Sequence, residues 1–219
     1  MTTKMQPMAA LLTALGVVAC NDTQAPNPPF QLVISGGNGQ NWYFKNPLPT
    51  PLSVTALDVD GSPVSGVVVT WAVTSGSGSG DVNPKQSTTN ANGIATTIDS
   101  IGTSTLQNVS ATFTGLAGPV SFTETATTPP TSVAVDVKDN FFDKASVVVQ
   151  VNGTVTWTFV GAVGHTVTFN SPGGPDSGTQ QIGGTFGPVT FTTVGIQSYH
   201  CKVHGGTYGS MNGSVTVVH

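Results

Sequence analysis

Residues 139–159 read DNFFDKASVVVQVNGTVTWTF, and this stretch decides the fold class. Val147–Val151 and Thr154–Phe159 are short runs rich in β-branched and aromatic side chains, which suit a pleated, half-buried surface. Asn152-Gly153 stands between them, a pair that accepts the backbone of a tight hairpin turn. The spacing therefore predicts two strands and a turn rather than a helix.

The same pattern continues to the last residue. Val133–Val137, Thr166–Phe169, Val189–Thr193, Gln197–Cys201 and Ser214–Val218 read as further strands, so residues 132–219 hold about eight in all, at sandwich spacing. Upstream, Thr127-Thr128-Pro129-Pro130-Thr131 interrupts the pattern. A double Pro cannot donate to a ladder and stiffens the chain, so a linker is expected at residues 128–131.

Before that linker, residues 30–127 show about seven strand-like runs, a number typical of a sandwich. They include Ser53–Val59, Val67–Thr74, Ile94–Asp99, Val109–Phe113 and Val120–Ala126. Asp60-Gly61, the Gly/Ser run of residues 75–80 and Asn92-Gly93 mark the turns. Trp71 is expected in the core, on a central strand. GSPVSGVVVTWAVTSGSG (61–78), STTNANGIATT (87–97) and VSATFTGLAGPVSFTETA (109–126) resemble, in that order, the bacterial Ig-like group 1 (invasin/intimin-type) domain. The resemblance implies an Ig-like sandwich that serves as a spacer or, alternatively, in adhesion.

Composition narrows the function classes. Only 7% of the 219 residues are charged, and the net charge is −4. There is no Arg and no basic patch, which argues against a nucleic-acid partner. After residue 20 no apolar run is long enough to cross a bilayer. The start, MTTKMQPMAALLTALGVVAC, places Lys4 ahead of a short apolar stretch, Met8–Ala19, of signal-peptide length. The Val17-Val18-Ala19-Cys20 ending resembles a bacterial lipoprotein cleavage box. That implies a signal peptide over 1–19, lipidation of Cys20, a polar Pro-rich tether over 20–29, and attachment to a membrane by lipid alone. An ordinary secretory signal with an incidental Cys is the alternative. Either reading exports the chain, to the periplasmic face of a membrane or the cell surface.

The chain has two Cys. If Cys20 carries lipid, Cys201 has no disulfide partner in an oxidising compartment, and a leftover thiol there calls for a purpose. Cys201 lies in YHCKVHGGTYGSM (199–211), with His204 three residues on and Met211 seven beyond that; His165 stands 36 residues earlier. Each residue alone is ordinary packing or surface. Together they offer two imidazoles, a thiolate and a thioether. Soft sulfur donors with imidazoles suit copper in both oxidation states, and a trigonal set with a weak axial Met is the blue-copper arrangement. Zinc is the rival, but Met is not among its usual ligands. His200 alternates with Cys201 along a strand and should face the other way.

Residues 139–159, GHTVTF (164–169), GGTFGPVTFTTVGIQSYHCKVH (183–204) and MNGSVTVV (211–218) resemble the plastocyanin/amicyanin branch of the cupredoxins. The resemblance spans essentially all of residues 132–219. It implies an all-β chain of two β-sandwiches, the second a Greek-key cupredoxin. It places the ligands of one type 1 copper ion on His165, Cys201, His204 and Met211. Trp157 and Phe142 fall on core aromatics of the family. Two positions depart from its pattern: Lys144 replaces a frequent Pro, and the loop between His204 and Met211 is long. The function implied is transfer of single electrons by a monomeric, non-enzymatic carrier. Its partners would be exported redox proteins such as c-type cytochromes or copper oxidases. Copper storage or delivery, and a structural surface protein with a copper domain, are the alternatives. Too few His are present for the added copper sites of a copper oxidase or nitrite reductase.

Overall fold

The structure is a computed structural model, and it describes residues 27–74, 78, 80–204 and 210–219. The signal peptide, Cys20, most of the tether and the loop 205–209 fall outside the described residues. Among the described residues there is no helix. The strands are β1 (Gln31–Gly36), β2 (Asn41–Tyr43), β3 (Leu52–Leu57), β4 (Val68–Val73), β5 (Asp81–Asn83), β6 (Gln86–Thr88), β7 (Ile94–Ser100), β8 (Leu106–Thr112) and β9 (Val120–Thr127). They are followed by β10 (Ser132–Lys138), β11 (Phe141–Phe142), β12 (Ser146–Gln150), β13 (Thr154–Phe159), β14 (Thr168–Phe169), β15 (Thr185–Thr190), β16 (Gly195–His200) and β17 (Asn212–Val218).

These form four sheets. The first two have the orders β1-β3-β7-β5 and β2-β9-β8-β4-β6; the other two are β11-β10-β13-β15 and β12-β17-β16-β14. Among the described residues, no strand up to Thr127 pairs with one from Ser132 onward. The chain is thus all-β, with two sandwiches. Alternation explains the layering: β3 buries Leu52, Val54 and Ala56 on one face, and β13 buries Val155, Trp157 and Phe159. Trp71, on the interior strand β4, packs tilted on Phe122 at 5.9 Å and donates its indole N–H to Ser87 Oγ at 2.8 Å. In the second core, Trp157 meets Phe169 and Tyr199 edge-on at 5.8 and 5.3 Å.

The turn at Asn152-Gly153 is present, with Asn152 at φ 66°, but it is not a hairpin. The strand before it, β12, pairs in parallel with β17, while β13 pairs in parallel with β10 in the opposite sheet. The turn therefore crosses the core. Its backbone groups are satisfied from elsewhere: Val151 N–H donates to Val218 O, and Asn152 N–H to Phe191 O, both at 2.7 Å. Residues 189–193 also differ from expectation. The strand is Thr185–Thr190, and Phe191 turns into the core beyond its end.

The sandwiches are joined by hydrogen bonds at the C-terminal residue. The Asn46 carboxamide accepts from His219 N–H at 3.0 Å and donates to His219 O at 3.2 Å.

Candidate metal centre

Strand ends bring the sulfur and the two imidazoles together. Cys201 follows β16 directly, and its N–H donates to Met211 O at 3.0 Å. That bond ties the residue entering the loop to the residue leaving it. His204 sits within the same loop, half-buried. His165 arrives from the segment after β13. Its N–H donates to Gln180 O at 3.0 Å and its carbonyl accepts from Gln180 N–H at 2.8 Å, a two-bond bridge that fixes the backbone. The side chains of His165 and Cys201 are fully buried, and Met211 is nearly so, at 1% exposure.

Cys201 Sγ lies 3.8 Å from His165 Nδ1 and 3.7 Å from His204 Nδ1. The three donor atoms lie within 4.8 Å of one another, and the imidazole centroids are 4.6 Å apart. Metal–sulfur and metal–nitrogen bonds of about 2.3 and 2.0–2.1 Å, opened to an angle of about 109–120°, put sulfur and nitrogen roughly 3.5–3.8 Å apart. Both measured separations fall at that value. A single ion can therefore bond all three atoms with little movement of the chain. It is the one group of three or more His, Cys or acidic side chains among the described residues with metal-binding spacing.

Surrounding bonds hold two of the donors, Cys201 and His165. Thr166 N–H donates to Cys201 Sγ at 3.3 Å, a contact that fixes the position of the sulfur. Thr166 Oγ1 accepts from Lys202 N–H at 2.9 Å, so one residue orients both the sulfur and the chain leaving it. Thr168 Oγ1 links Thr166 Oγ1 to Asp176 Oδ1, each at 3.1 Å. Asp176 is also paired with the Lys202 ammonium, which chiefly holds its carboxyl below the usual range, helped by Gly178 N–H.

On the far side of His165, Asp139 Oδ1 lies 3.2 Å from Nε2. Asp139 occupies the turn between β10 and β11 and also accepts from Val163 N–H at 3.2 Å. Backbone donors Val163 and Ala162, then the His165 ring, hold this exposed carboxyl below its ordinary value.

Sequence reasoning named His165, Cys201, His204 and Met211. The structure gathers the first three around one point and buries Met211 beside Cys201, joined through the backbone. It places His200 on the other side of β16, where Nδ1 meets Asn170 Oδ1 at 2.6 Å. Asp139, Thr166 and the Asp176–Lys202 pair were not anticipated. Thr166 was within reach, because the residue after a ligand on a strand end presents its amide to the site. Asp139 gave no such signal, since its partner is 26 residues away.

No protein-family model matches the chain, and no curated protein sequence matches it. Among solved structures it is similar to the reduced Cu(I) form of an amicyanin mutant at pH 4 (27% identity, 39% of this chain and 81% of that one, TM-score 0.35). An oxidised amicyanin mutant gives 26% identity with the same coverage and TM-score. A purple cupredoxin from Nitrosopumilus maritimus gives 21% identity over 39% of this chain and 98% of that one, with TM-score 0.34.

Proposed function

We propose that this chain is an exported type 1 copper protein that carries single electrons, with His165, Cys201, His204 and Met211 as its metal ligands. The observation that carries the reading is the pair of sulfur–nitrogen separations, 3.8 and 3.7 Å, between a buried thiol and two imidazoles. Bound there, copper would supply a reversible one-electron couple.

The residues of the chain set the conditions for that couple. His165 and Cys201 hold their donors inside the core on hydrogen-bonded backbone, so little reorganisation is needed between redox states. Thr166 N–H holds the sulfur in place with a hydrogen bond. Burial of His165, Cys201 and Met211 favours a retained ion over one handed to a partner, which ranks electron transfer above delivery. His204, the least buried donor, is the natural exit for the electron. Val160, Val163, Ile182 and Val203 leave apolar side chains exposed on the loops that carry or neighbour the donors. The second sandwich has four acids and three Lys, so docking would rest on apolar contact with weak electrostatic steering. Partners of that kind include exported c-type cytochromes or copper oxidases. In this reading lipid on Cys20 tethers the chain, and the first sandwich is an Ig-like spacer.

The test is to add one equivalent of Cu(II) to the purified full chain. An intense blue, green or purple colour, bleached by ascorbate, is expected, and Cys201→Ser should abolish it. A colourless complex, or the same colour in the Ser variant, would overturn the assignment.

A further inference from the structure

We propose that Asp139 is a positioning residue for the candidate metal centre: it fixes the His165 ring with Nδ1 free toward Cys201 and strengthens that nitrogen as a donor to a bound ion. The proposal rests on the copper reading for its second half only.

The argument begins with hydrogen-bond capacity. A carboxylate only accepts, so the imidazole nitrogen 3.2 Å from Asp139 Oδ1 must carry the proton. In a neutral ring that leaves Nδ1 as the lone-pair nitrogen, the atom that lies 3.8 Å from the sulfur. His165 is fully buried, and no other side-chain partner of Nε2 is found among the described residues. Its tautomer therefore depends on this acid.

The surrounding chain keeps a place for the carboxylate. Val163 N–H donates to the same Oδ1, so the acid clamps the loop that leads into His165. Gly161 passes against the pair. A Cβ added there would lie 2.5 Å from Asp139 Oδ1, 2.9 Å from Asp139 N and 2.9 Å from His165 Nε2. Any side chain at 161 would push the acid from the ring. This close approach is an independent sign that the contact is built in.

A carboxylate behind a ligating His does more than orient it. It makes the imidazole a stronger donor, and loss of such partners commonly weakens metal affinity 10–100-fold. The added negative charge favours the more highly charged ion. If a 10–100-fold loss fell wholly on Cu(II), the potential would rise by about 59–118 mV for one electron.

The experiment has two arms. In the metal-free full chain, long-range 1H–15N spectra report which His165 nitrogen carries the proton. Wild type should show Nε2–H alone. Asp139→Asn, which can still present an oxygen to the ring, should keep that tautomer; Asp139→Ala and Gly161→Ala should give mixed tautomers. In the copper-loaded chain, both Asp139→Asn and Asp139→Ala should raise the reduction potential. A pure Nε2–H ring in folded Asp139→Ala, or an Asp139→Asn potential equal to that of wild type, overturns the proposal. If Asp139→Ala does not fold, the Asn variant still decides. If wild type binds no copper, the copper reading fails while the metal-free spectra still judge the positioning role.

Discussion

The first sandwich should grow less stable as pH rises from 5 to 8, and Glu124→Gln should remove much of that loss. Glu124, on β9, has no exposed surface; Oε2 accepts from Gln40 N–H at 2.5 Å, and Oε1 has no partner among the described residues. Asp99, also fully buried, takes one bond from Gln107 Nε2, and its Oδ2 has no partner among the described residues. Burial pushes Glu124 from 4.5 up to about 7 against the opposing Gln40 and Gly39 amides, with Asp99 adding to the rise. Burial likewise lifts Asp99 from 3.8 to about 6. Both folded values lie above the unfolded ones, so the folded chain holds protons that the unfolded chain has released. Stability from Glu124 is complete below about 4.5 and is lost as pH climbs through about 7. The interval of about 2.5 pH units, at roughly 1.36 kcal/mol each, gives at most about 3 kcal/mol. The Gln side chain keeps an oxygen for Gln40 N–H and cannot ionise. Urea unfolding at pH 4.5, 6 and 8, followed by the Trp71 indole N–H resonance, isolates this sandwich. The variant should match wild type at pH 4.5 and exceed it at pH 8 by about 1–3 kcal/mol. Wild-type stability that is flat or rising from pH 5 to 8, or a variant weaker at pH 8, would refute the reasoning.

Other consequences are more direct. Trp157→Ala should destabilise the second sandwich by about 3–5 kcal/mol in chemical unfolding, because the indole fills a core between Phe169, Phe186 and Tyr199. Met211→Leu should keep the visible colour of the copper-loaded chain, since thiolate and imidazoles remain, and raise its potential in voltammetry by removing a thioether donor. Raising the pH from 5 to 8 should leave the unfolding midpoint of the Glu124→Gln/Asp99→Asn double variant nearly unchanged, as monitored by the same Trp71 resonance.

Strand positions were legible where one side of a run must be buried. Thr154–Phe159 was read to the residue because Val155, Trp157 and Phe159 alternate inward with no ambiguity. Partners were less legible. Asn152-Gly153 looks like a hairpin locally, yet the long-range parallel pairings β10–β13 and β12–β17 send its two strands to different sheets. Thr166–Phe169 read as a strand, but only Thr168–Phe169 forms a ladder; His165, just before it, is held by an isolated bridge to Gln180. Most of the long loop between His204 and Met211, residues 205–209, lies outside the described residues. At the candidate site, Cys201 and His204 could be paired by eye because they share a loop. His165, 36 residues earlier, was read into the set as the second imidazole that a trigonal site needs, whereas Asp139 needed the fold, since only the folded β10–β11 turn brings it behind the ring.

The central claim is that one copper ion bonds the Cys201 sulfur and the imidazoles of His165 and His204. X-ray absorption of the copper-loaded full chain measures those bonds directly. One sulfur at roughly 2.1–2.3 Å and two imidazole nitrogens near 2.0 Å are expected, with the sulfur shell lost in Cys201→Ser. A copper environment of nitrogen and oxygen alone in the wild-type chain would contradict the account.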